Sequence, residues 1–112
     1  MITTQELFSY EQAALASFSA AVEHARADGE LSHEVARLEG RLEQLHSVAV
    51  VSARQTDDVA QVAAIWQTMT EIWEHALARL RELAKAQPAT TVSYDKVLDL
   101  LSDCRARHAF HA

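Results

Sequence analysis

One apolar stripe constrains this chain more than any other feature: Val59, Val62, Trp66, Met69, Trp73, Ala76, Leu80 and Leu83. The positions follow one another at alternating intervals of three and four residues, the pattern of a helix that buries one narrow seam along its whole length. Such a seam must pack against other helices. With two glycines and one proline in 112 residues, the chain lacks the turn residues that a many-stranded sheet requires. Ala, Leu, Glu, Arg and Gln, all strong helix formers, dominate instead. The expectation is an all-α, antiparallel up-down four-helix bundle, with three long helices and one short C-terminal helix, forming a single domain over residues 1–112.

The helix boundaries follow from capping signals. Helix 1 is expected over Gln5–Asp28, opened by a capping box at Thr3 and Glu6 and closed by Gly29 as a left-handed cap. Phe8, Leu15, Phe18, Val22 and Ala25 line its inner face. Helix 2 is expected over His33–Arg54 with Ser32 as N-cap, and Val35, Leu38, Leu42, Leu45, Ala49 and Ser52 at heptad spacing. Gly40 inside it costs about 1 kcal/mol relative to alanine, which close approach to Ser19 and Ala21 of helix 1 would explain. Helix 3, Asp58–Ala86, carries the stripe; Thr56 or Asp57 caps it and Pro88 stops it. Because no Gly or Pro lies in Arg54–Asp58 and the helix 2 series runs on in phase into helix 3, both a turn and a continuous, domain-swapped helix fit this junction. Helix 4 is expected over Tyr94–Ala109, with Ser93 as N-cap, a Val92–Val97 staple, and Val97, Leu101, Cys104 and His108 facing inward.

Matching levels around short turns places helix 4 over only the C-terminal half of helix 3 and leaves Val59–Thr70 bare. Charge vanishes at that same end: neither Gln44–Ala53 nor Val59–Thr70 contains an Asp, Glu, Lys or Arg. A large bare apolar surface calls for a cover. Two-fold dimers are the commonest oligomers, so the expectation is a non-enzymatic interaction or structural module that forms a homodimer through Phe8, Tyr10, Leu15, Val59, Val62, Trp66 and Met69. A different protein partner or an apolar small molecule would cover the same end. Phe110–Ala112 folding over the patch is the plainer account.

Composition limits the other classes. A formal charge of −6, with scattered basic residues, suits neither duplex nucleic acid, including through helix 4, nor an anionic membrane surface. The longest charge-free run is far shorter than the ~20 residues of a membrane span. The N-terminus has no basic region followed by an apolar run, so no secretory signal is expected. A single cysteine, Cys104, permits no intrachain disulfide and points to a cytoplasmic, reducing setting.

Chemistry-bearing residues are sparse. Glu43 and His46 have the spacing of a di-iron motif, but its second copy, Glu30 and His33, falls at a turn, and His75 is expected several turns from His46; no metal or cofactor is expected. Glu11 is the one charged residue between Leu7 and Val22, on an apolar face, at about the expected level of His46 and Trp66. A carboxylate and an imidazole against apolar walls could line a binding or catalytic pocket. This makes the alternative reading a small-molecule binding protein or minor enzyme near Trp66, Glu11 and His46. A polar pair that sets helix register is the plainer account of the same residues. Trp66 and Trp73, with Met69 between them, could line an apolar pocket, although this spacing more often marks core; of the two, Trp66 lies in the bare half and is the expected interface anchor. Cys104 reads as a buried small hydrophobe, although Arg105, Arg107 and His108 nearby could lower its pKa.

Overall fold

A computed structural model describes residues 3–24, 28–86 and 95–111. They form four helices: α1 (Thr4–His24), α2 (Asp28–Arg54), α3 (Val59–Ala86) and α4 (Asp95–His111). No strand occurs among the described residues, and none of their helices is long and apolar enough to cross a membrane.

Local chemistry sets the helix starts. Thr3 Oγ1 accepts the Glu6 N–H at 3.1 Å, and its hydroxyl donates to Glu6 Oε1, so the capping box forms with the carboxylate held by the hydroxyl. Between α2 and α3 the chain turns. Asp58, the residue just before α3, caps it by accepting the N–H groups of Ala60 and Gln61 at 3.0 and 3.3 Å. Thr56 braces the turn: its hydroxyl oxygen accepts the Asp58 N–H and its proton goes to Gln61 Oε1. These bonds use four residues, Gln55–Asp58, that a continuous helix would have had to absorb. The cap is thus Asp58, rather than Thr56 or Asp57.

The α1–α2 junction differs from the sequence expectation. The last described residue of α1 is His24 and α2 already begins at Asp28, so Gly29 and Ser32 lie inside α2 rather than between helices. No glycine among the described residues has a positive φ. Placing the junction earlier slides α1 along α2 by more than two turns, roughly 13 Å at 1.5 Å per residue. The anticipated Pro88 stop and Val92–Ser93 capping signals fall outside the described residues.

Seven of the eight stripe residues are buried; Val59, at the start of α3, is the exception at 64% exposure. Trp66 and Trp73 are the largest fully buried side chains. An indole buries on the order of 200 Å², worth roughly 5 kcal/mol of transfer free energy as an upper figure. Leu7, Leu42 and Leu45 from α1 and α2, with Val97, Leu101 and Cys104 from α4, complete the same core.

The expectation that α4 leaves the N-terminal half of α3 bare is overturned. Arg107 of α4 lies over the Trp66 ring at 4.8 Å, and Val62, Ile65, Trp66 and Met69 are all buried within the chain. The cover comes from register. On α3 and α4 the contacts advance in opposite senses, from Glu74–Arg105 to Trp66–Arg107, which carries α4 well past Ile72. Gly40 is also explained differently: a Cβ there would meet nothing within 4 Å, so no close approach to α1 requires it.

Candidate functional site

The densest polar arrangement in the core is built around His46, where α2, α3 and α4 meet. His46 is 8% exposed. Its ring lies 5.7 Å from that of Trp66 and 6.2 Å from that of Trp73, both inclined rather than stacked. The Trp73 Nε1–H donates to His46 Nδ1 at 3.2 Å. Cys104 Sγ lies 3.5 Å from the same nitrogen, and Asp103 Oδ2 lies 3.3 Å from Nε2. Arg107, one turn beyond Asp103, donates its Nε–H to that carboxylate oxygen at 2.9 Å while its guanidinium covers Trp66. One turn of α4 therefore supplies an acid, a thiol and a cation to a single histidine of α2.

The electrostatics follow from burial. Desolvation lowers the proton affinity of His46 below the usual imidazole value, more than the Asp103 charge and hydrogen bond raise it. The Cys104 thiol is pushed up to about 12, mainly by burial and further by the Asp103 charge, with Arg107 opposing. A lowered thiol pKa was the condition for reactivity. Cys104 instead behaves as a buried small hydrophobe. Nucleophile, base and carboxylate are arranged in sequence as in a Cys–His–Asp set, but the sulfur is fully buried and held as the thiol.

Glu11 does not share this environment. It is 3% exposed, and its carboxylate meets His75 Nδ1 of α3 at 2.5 Å. Farther along the same seam, Arg79 donates twice to Ser19 Oγ, at 3.2 and 3.0 Å. These two bridges advance in the same sense along α1 and α3. The sequence brought Glu11 to the level of His46, whereas in the structure Glu11 pairs with His75, farther along α3. The early start of α2 shifts α1 in that direction.

The remaining singled-out residues divide by environment. Val62, Trp66 and Met69 are core, Phe8 and Leu15 are half-buried against it, and Tyr10 and Val59 are exposed. His46 also borders a shallow surface recess with Gly40, Glu43, Gln44, Ser47 and Leu100. No group of three or more His, Cys, Asp or Glu side chains among the described residues is placed to hold a metal ion. Sequence reasoning missed Asp103 and undervalued Arg107. Their i, i+4 spacing beside an inward-facing Cys104 was the available signal.

Comparison with protein-family models, with curated proteins and with solved structures gave no match.

Proposed function

We propose that this protein is a small non-enzymatic interaction module that self-associates, with a second copy covering the end of the bundle at the α2–α3 turn. The observation that carries this reading is where exposed apolar side chains meet absent charge. Val48 and Val51 stand exposed on α2 within the charge-free segment Gln44–Ala53, and Val59 is exposed across the turn, beyond the exposed charges of Arg54, Asp57 and Asp58. Phe110, 84% exposed, lies in the last turn of the helix whose Arg107 covers Trp66, and so belongs to the same end.

Charge argues for a second copy as the cover. Each chain carries −6, so two copies repel in general. A two-fold contact sets a patch against itself, and a patch without charge avoids any like charges face to face at the axis. The outer stripe of α2 over Gln44–Ala53 meets that condition. This contact is smaller and nearer the tip than one built on Val62, Trp66 and Met69, which are core. A single free thiol suits work in the cytoplasm. The small-molecule reading needs Glu11, His46 and Trp66 around one cavity; His46 and Trp66 are neighbours, but Glu11 pairs with His75 instead, which favours the interaction reading.

Light scattering at micromolar concentration tests it. The expected mass is near twice 12.4 kDa, shifting toward one chain in Val51→Glu. Val51 is 52% exposed, so this change leaves the fold intact. A single-chain mass at every concentration would rule out self-association.

A further inference from the structure

Both ring nitrogens of His46 are engaged, and the partners dictate which of them carries the proton. An indole N–H can only donate. Nδ1, which accepts from Trp73, must therefore be unprotonated, and the neutral ring holds its proton on Nε2, facing Asp103. We propose that His46 is an acid-sensitive latch for α4: a proton added at Nδ1 sets a second donor against the Trp73 N–H, breaks that bond, and loosens from α2 and α3 the turn of α4 that carries Asp103, Cys104 and Arg107.

The consequences of that proton are local and unfavourable. Trp73 is fully buried, so its N–H has no water to turn to once Nδ1 stops accepting. The new Nδ1–H faces Cys104 Sγ, a weak acceptor. Charged groups act on the ring from two elements: Asp103 and Arg107 from α4, and Glu43 from α2 itself. From α3 it meets the indoles of Trp66 and Trp73. Asp103 would welcome an imidazolium, but the same oxygen already serves Arg107. The other polar ties of α4, Lys96–Glu43 and Arg105–Glu74, are half-exposed ion pairs that hold little on their own.

The direction with pH is fixed. In the unfolded chain an imidazole titrates near 6.5, and in the fold His46 binds a proton less readily. The stability it contributes is complete above that value and is lost as pH falls through the lower, folded value. Each unit of lowering changes the folding equilibrium up to tenfold.

Urea unfolding of the full chain between pH 8 and pH 5 tests the latch, wild type against His46→Gln. Glutamine keeps an acceptor for Trp73 and a donor for Asp103 but does not titrate. The expected result is an extra loss, up to about tenfold in the folding equilibrium per unit of lowering, present in wild type and absent in the variant. Wild type alone should also show a fall in tryptophan fluorescence and, relative to the intrinsic exchange rate at each pH, lower amide protection in α4 over the same range. The other histidines contribute to both curves, so the difference is what is read. Equal losses in both proteins would overturn the proposal. So would a ¹⁵N spectrum with the His46 proton on Nδ1 at pH 7.5. If His46→Gln fails to fold, Trp73→Phe, which removes the N–H and keeps a ring, must shrink the acid loss; an unchanged loss there also overturns it.

Discussion

His46 and His75 meet opposite sides of α3 and do opposite jobs. Trp73 and His75 lie two positions apart, about 200° around the helix, so one points to α2 and α4 and the other toward α1. On the first side the imidazole is buried and neutral, an adaptor that accepts from an indole and gives to Asp103. On the second side the histidine is 55% exposed and its partner is the buried one: a carboxylate only 4% exposed by side chain. Burial decides which role follows. A ring removed from water resists a proton, whereas the exposed ring serves as the partner of a carboxylate that is itself buried.

Breaking each side should give different losses. The largest is expected from Trp73→Ala, which empties the space of a fully buried indole and strips His46 of its donor; chemical denaturation should report a loss of about 3–5 kcal/mol. A loss below about 1 kcal/mol would mean that this side of α3 is not packed as described. His75→Ala removes the partner that α3 sets against Glu11 of α1. A fully buried pair broken this way costs about 3–5 kcal/mol, but water reaches the exposed His75, so about 1–2 kcal/mol is expected here. Adding Glu11→Gln to His75→Ala should recover part of it, and strictly additive losses in that cycle would show that the two groups do not interact. The smallest effect is a gain. Gly40 lies in α2 beside the recess that His46 borders, with nothing within 4 Å of where a Cβ would sit. Gly40→Ala should stabilise by about 0.5–1 kcal/mol through helix propensity and reduced freedom of the unfolded chain. A loss instead would reveal a neighbour pressing on that position.

Much of the fold was legible because periodicity is a local property. The 3–4 spacing from Val62 to Leu83 names the buried seam residue by residue, and the Thr3–Glu6 box starts α1 where it should. The site was not legible in the same way. Its members come from Trp73, His46 and Asp103–Arg107, on three helices, and which residues face each other depends on register. Register in turn depends on where each helix begins. Reading Gly29 as a cap and Ser32 as an N-cap was chemically reasonable, but both residues lie within α2. That error, more than two turns of helix, was enough to match Glu11 with the wrong histidine.

The amino-acid sequence by itself determined that this chain forms helices, which faces they bury, and that Gln44–Ala53 carries no charge, because these properties depend on neighbours three and four residues away. Only the tertiary structure decided that α4 covers Trp66, that Glu11 answers to His75, and that Cys104 and His46 share one buried junction. Contacts between helices depend on the sum of every turn before them, so a few residues of displacement at α1–α2 become a different set of partners at the core.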